Sequence, residues 1–266
     1  MTKLPGGTME MTGVDRVELR RAKGLLEHQG LAVRIASVVG APIEKLFTVL
    51  PQGAADIVQG ATSKALNAAA RTAVRGMRDE SKTSRQWLHT MAVASSGAVG
   101  GAFGLATLAI ELPISTVIML RSIADIARSE GQSISQPDVQ LACLEVFALG
   151  GRGPEDDAAE SGYFAVRAAL SSAVADAARH MAERGVIGEA APALLRLTAT
   201  IAARFGIPVT EKVMAQSVPI IGAAGGAAIN VLFIKHFQDV ARGHFIVRRL
   251  EAAYGAELVR TEYARV

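Results

Sequence analysis

An all-α fold, a single bundle of many helices, is what this chain predicts, and three observations carry that prediction. Half of the residues are hydrophobic but only 5% are aromatic. The apolar content is mostly Ala, Leu, Val and Ile, a mixture that favours helices over sheets. No segment alternates with period two over a useful length, whereas apolar residues recur at helical spacing along most of the chain. Two long stretches, Met91 to Ile110 and Val213 to Ile234, hold no charged side chain. Each contains nearly the same phrase, Gly97-Ala98-Val99-Gly100-Gly101-Ala102 and Gly222-Ala223-Ala224-Gly225-Gly226-Ala227. Charge-free runs of roughly twenty residues reach the length needed to cross a bilayer. The expected heart of the bundle is a pair of Gly/Ala-rich apolar helical hairpins, facing either lipid or each other. They would pack as a glycine zipper through Gly97, Gly100, Gly101, Gly104, Gly222, Gly225 and Gly226, small residues that let helix backbones approach closely.

Residues 1–12 read as a disordered start, and 13–266 as one helical domain. Val14, Val17, Ala22, Leu25 and Leu26, interleaved with Arg16, Arg20, Arg21 and Lys23, predict a short basic amphipathic helix ending near Gly30. Such a helix either lies on a membrane surface or docks on the core, and docking is the favoured reading. Leu31 to Val39 and Ile43 to Leu50 are short helices punctuated by Gly40, Pro42 and Pro51. Ala54 to Met77 reads as one long Ala-rich helix. After the first charge-free run, Glu111-Leu112-Pro113 places an acid before a helix breaker, and the apolar Ile114 to Leu120 continues as an amphipathic helix to Ala127. Gly131 to Pro137 is a polar turn, and Val139 to Leu149 a compact apolar helix interrupted by Glu145.

Gly150-Gly151-Arg152-Gly153-Pro154 with Glu155, Asp156 and Asp157 is the strongest loop signal and reads as a solvated linker. Helices follow at Tyr163 to Arg184 and Ala190 to Phe205, the second ended by Gly206 and Pro208, with Thr210 as a cap for a short helix beyond. From Asn230 a long amphipathic helix sets Val231, Ile234, Phe237, Val240, Phe245, Val247 and Leu250 against Lys235, His236, Asp239, Arg242, Arg248 and Arg249. A tail, Ala253 to Val266, closes the chain. The two halves share a layout of glycine phrase, apolar stretch and amphipathic helix. An internal pseudo-repeat offset by about 125 residues competes here with chance recurrence in a Gly/Ala-rich chain.

At 266 residues the chain can bury a sizeable core without disulfide or metal. Its net charge of +3 and pI of 9.2 suit an anionic membrane surface. Nucleic acid is not expected, because basic residues are interspersed with acids and aromatic stacking partners are scarce. The lone Cys143 excludes an internal disulfide and reads as a small buried hydrophobe in a reducing compartment. The N-terminus shows no secretory signal, which places the chain on the cytoplasmic side, peripheral to the inner membrane or embedded in it.

Standard catalytic constellations are missing from the sequence. His28, His89, His180, His236 and His244 are scattered without zinc-site spacing, and Gly97 to Gly104 lacks the Lys of a phosphate loop. No metal and no cofactor are expected. Two polar groupings in apolar surroundings remain: Glu111 with Arg121 across the Pro113 break, and Asn230, His236, Asp239, Arg242 and His244 on the last long helix. They form either a buried polar track between the hairpins or a helix cap and an ordinary solvated face.

The phrases Glu111-Leu112-Pro113, Thr116, Arg121-Ser122-Ile123-Ala124 and Cys143-Leu144-Glu145-Val146-Phe147 resemble the middle of the bacterial EcsC family. Val218-Pro219, Gly225-Gly226-Ala227, Asn230, Phe237, Ala241-Arg242-Gly243-His244-Phe245, Arg248-Arg249-Leu250-Glu251 and Tyr254-Gly255 resemble its C-terminal signature. The likeness runs from Gly30 to Tyr263. The family is named for a protein encoded beside a bacterial ABC transporter, and the resemblance implies a bacterial, helical protein linked to membranes, with no established catalytic residue. The expected function is that of a non-enzymatic protein binding lipid, a membrane surface or a membrane-bound partner such as a transporter. The alternative is a lipid-acting hydrolase with Glu111, Asp239 and His244 in a pocket between the hairpins. A third reading is a hydrophobe carrier lined by the small residues of both phrases.

Overall fold

The computed structural model describes residues 10–27, 30–40, 53–74, 104–151, 162–184, 192–216 and 222–266. Among them are α-helices and no strand: α1 (Gly13–Glu27), α2 (Leu31–Val39), α3 (Ala54–Val74), α4 (Gly104–Ser129), α5 (Pro137–Leu149), α6 (Gly162–Arg184), α7 (Pro192–Gln216), α8 (Gly222–Tyr254) and α9 (Ala256–Arg265). The all-α prediction holds.

The middle of the bundle is α5. Every residue from Val139 to Leu149 is buried, as expected of a helix that is hydrophobic all round. Pro137 occupies its first turn, where a missing N–H costs nothing. Around α5 pack α3, α4, α6, α7 and α8. Phe147, Phe205 and Phe237 close the centre, with ring centroids 5.0 to 5.6 Å apart. Phe233 extends this cluster from α8.

The basic helix α1 docks on the core through Leu19, Ala22 and Leu26. It begins at Thr12, whose Oγ1 accepts the Asp15 N–H at 3.2 Å, a capping arrangement. Gly243 of α8 is the contact point: an added Cβ there would lie 2.7 Å from Leu26 Cγ and 3.0 Å from the Ala22 carbonyl oxygen. Of the disordered start predicted for residues 1–12, residues 1–9 lie outside the described residues, and Met11 is buried.

Several predicted boundaries are corrected. Pro113 does not break its helix, nor does Pro208, because α4 and α7 run straight through them. A proline removes one backbone bond, and long helices clamped on several sides tolerate that loss. Near Pro113 the hydroxyls of Ser115 and Thr116 donate to the Leu112 carbonyl. Thr210 caps nothing; its hydroxyl donates back to Gly206 O at 2.8 Å. The tail after Tyr254 turns at Gly255, whose φ is +85, and becomes α9.

The second charge-free run is divided between the end of α7 and the start of α8. No described helix is long and apolar enough to cross a membrane. Gly97, Gly100 and Gly101 lie outside the described residues, and so do the surroundings of Gly104, Gly222 and Gly225. The predicted hairpins and pseudo-repeat rest on these positions. At Gly226 an added Cβ would meet no heavy atom within 4 Å. Close backbone approach occurs instead at Gly150 and Gly151, inside the predicted linker. A Cβ on Gly151 would lie 2.1 Å from the Arg204 carbonyl oxygen, and one on Gly150 would lie 2.4 Å from the Phe237 ring. That Arg204 carbonyl is the one whose helical partner Pro208 removes, and it sits against a glycine. The Arg204 side chain then caps α5, donating to the carbonyls of Ala148 and Gly151 at 3.1 and 2.7 Å.

Candidate functional site

One group of buried polar residues lies where α5, α6 and α8 meet. His244 is fully buried, and its Nδ1 shares a 2.9 Å hydrogen bond with the Tyr163 hydroxyl. Arg167, one turn after Tyr163, donates to that hydroxyl at 3.4 Å and to both carboxylate oxygens of Glu251 at 2.7 and 3.0 Å. A guanidinium only donates. The Tyr163 oxygen accepts from Arg167 and shares one proton with His244 Nδ1, while the second ring nitrogen, Nε2, has no hydrogen-bond partner among the described residues. That nitrogen faces Glu145 Oε2 at 3.9 Å.

Burial governs the charges of this network. It holds His244 well below the usual histidine value, helped by Arg167 and Arg248, and it raises the Glu145 carboxyl against the pull of the same two arginines. The Tyr163 hydroxyl is likewise raised by burial and stays protonated. Burial works against the Arg167 charge, yet Tyr163 and the bidentate Glu251 outweigh it. On α5, Cys143 is a thiol pushed up by burial to about 12 and chemically inert. Neutral His and protonated Tyr locked on partners are poor proton carriers. A cavity of about 20 Å³ lies alongside, lined by Leu26, Glu27, Leu149, Gly162, Tyr163, Val166 and Arg204. It has room for about one water, and of the network only Tyr163 is among its lining residues.

The predicted polar groupings are dispersed. Arg121 is exposed and is not the partner of Glu111, which pairs with Lys212 of α7 at 2.9 Å. Lys212 is 2% exposed and also lies over the Phe233 ring at 5.2 Å. Asn230 accepts a hydrogen bond from Gln216 at 3.2 Å. His236 is buried rather than solvated, and its Nε2 donates to the Gly150 carbonyl at 2.7 Å. Asp239 pairs with Arg34 of α2 at 3.5 Å and more loosely with Arg242. Glu111, Asp239 and His244 thus answer to different partners, and none of them lines the cavity. No metal-binding cluster occurs among the described residues.

The sequence reading missed Tyr163, Arg167, Lys212 and Glu211. Burial pushes the Glu211 carboxyl up to about 7, although it accepts the Ala32 N–H in the first turn of α2.

The outer face of α4 and α8 has the opposite character. Ile110 and Ile114 are 69% and 54% exposed, and Val231 is 57% exposed. On α4, Ile110, Ile114, Val117 and Arg121 follow one stripe; on α8, Val231, Lys235, Gln238 and Arg242 repeat the same spacing. The two helices run in the same sense. Lys212 ties Glu111 to Phe233, and further along both helices Gln238 donates to Ser122 at 2.8 Å. Each of these two packed helices carries a stripe that is aliphatic at its start and basic toward its end.

The described residues form an all-helical bundle held together by buried polar ties. The chain belongs to the EcsC protein family, whose sequence model it matches over residues 18–250. No curated protein and no solved structure matches the chain.

Proposed function

We propose that this EcsC-family chain is a non-catalytic protein that works at the cytoplasmic face of the inner membrane, engaging lipid directly or together with a membrane-bound partner. The observation that carries this reading is the exposure of Ile110, Ile114 and Val231 on adjacent, rigid helices. Solvent-facing aliphatic side chains on two helices that pack together can offer a surface to something apolar. The dispersal of Glu111, Asp239 and His244 onto separate partners supports a binding role over hydrolysis. A cavity of about 20 Å³ is far below the few hundred cubic ångströms that a carried hydrophobe occupies.

Cell fractionation tests the reading. The protein should sediment with membranes and come off in a high-salt or carbonate wash, as a peripheral protein does. Recovery wholly in the soluble fraction before any wash would overturn it.

A further inference from the structure

We propose that the paired stripes of α4 and α8 form a docking face for anionic phospholipid, with Arg121 and Lys235 meeting headgroup phosphates while Ile110, Ile114 and Val231 enter the acyl boundary. This rests on the membrane reading above and adds the headgroup class and the residues that select it. The charge pattern points to the occupant. Arg121 and Lys235 are exposed, and neither has a carboxylate partner among the described residues. The acids on the same two helices near this face are already held: Glu111 by Lys212, Asp125 by Arg128, and Asp239 by Arg34 and Arg242. What remains uncompensated on the face is positive.

The spacing fits an interfacial geometry. Lys235 lies one turn beyond Val231, so its methylene stem can follow the helix outward while its ammonium reaches the phosphate layer. Arg121 lies about 16 Å along α4 from Ile110 on the same stripe. Gln238 and Ser122 pin the two helices together, so the face is presented as one preorganised surface. Three aliphatic side chains fall short of the roughly 800 Å² per partner that a stable protein interface buries. A lipid surface has no such requirement, and it rewards isolated aliphatics beside uncompensated cations.

Flotation of the full-length protein with two kinds of vesicle tests the proposal, one of pure phosphatidylcholine and one of equal parts phosphatidylcholine and phosphatidylglycerol. The wild type should bind the anionic vesicles at least about tenfold better, with the advantage shrinking as salt is raised. Arg121→Gln/Lys235→Gln should lose most of that advantage while keeping its thermal midpoint and its binding to phosphatidylcholine. Equal wild-type binding to both vesicles, or a double variant with full preference, overturns the proposal and leaves the membrane reading standing. Failure to bind either vesicle overturns the proposal as well, and the membrane reading is then decided by cell fractionation alone. Binding to polyglutamate with no vesicle binding would assign the face to an acidic protein and overturn the lipid assignment.

Discussion

Helix α8 carries two opposite solutions on one rod. On its inner side His236 and His244 are buried and bound to Gly150 and Tyr163; on its outer side Val231 stands in water. Ordinary sorting would place the valine inside and the histidines out. The inner polar groups are joined to one another across α5, α6 and α8, with burial holding His244 neutral. The outer aliphatic groups have no such tie. The difference separates residues that specify how helices meet from residues left over for a partner. Here the groups that look chemical serve the architecture, and the plain aliphatic ones are available for binding.

The strongest way to break that comparison is to cut the inner network. Arg167→Met leaves Glu251 without its bidentate partner and removes one of the two arginines that act on Glu145. Because Arg167 is 23% exposed, a loss of about 3 kcal/mol, at the low end for buried pairs, is expected in chemical denaturation. An unchanged midpoint would mean that the network is ornamental. Next in size is Gly151→Ala, which sets a methyl against the Arg204 carbonyl; about 2 kcal/mol of destabilisation is expected, and a neutral result would show that α5 and α7 can separate there.

Glu211→Gln sharpens the comparison with a sign that depends on pH. The folded carboxyl sits at about 7 against an ordinary 4.5. Between those values the unfolded chain releases a proton that the folded chain keeps, so Glu211 makes stability fall as pH rises, and above about 7 the penalty is complete. Glutamine removes the penalty and can still accept the Ala32 N–H. Thermal melts should show no difference at pH 4 and a gain on the order of 2 kcal/mol at pH 8; a gain at acid pH instead would refute the assignment. The smallest effect belongs to the outer face, where Ile110→Ser/Ile114→Ser should shift stability by under about 0.5 kcal/mol.

Much of this was legible in the sequence. Helical spacing located α1, α2, α3, α5 and α6, and an apolar run interrupted by Glu145 marked α5 as a compact helix. The basic amphipathic helix α1 was read as docking on the core, and it docks through Leu19, Ala22 and Leu26, whereas Val14 and Val17 of the predicted apolar positions are 74% and 60% exposed. Local rules failed where tertiary packing outvoted them. Pro113 and Pro208 read as stops because each forbids one hydrogen bond, but helices held by neighbours absorb that loss. Lys212 was passed over because it bordered a charge-free run, and nothing in a one-dimensional pattern tells which helix will bring Glu111 to it. The histidines of α8 read either as part of a buried polar track or as a solvated face, and they are buried; their partners, Tyr163 and Gly150, are distant in sequence. Glycine spacing drew attention to Gly226, while the tight approaches fall at Gly150, Gly151 and Gly243, whose neighbours come from other helices.

Vesicle flotation of Ile110→Ser/Ile114→Ser beside Tyr163→Phe, at a temperature where both are folded, tests the division between architecture and binding most directly. The isoleucine pair should lose about tenfold in vesicle binding, while Tyr163→Phe binds as the wild type does despite its weakened core. Loss of binding in Tyr163→Phe with full binding by the isoleucine pair would reverse the roles assigned to the two regions.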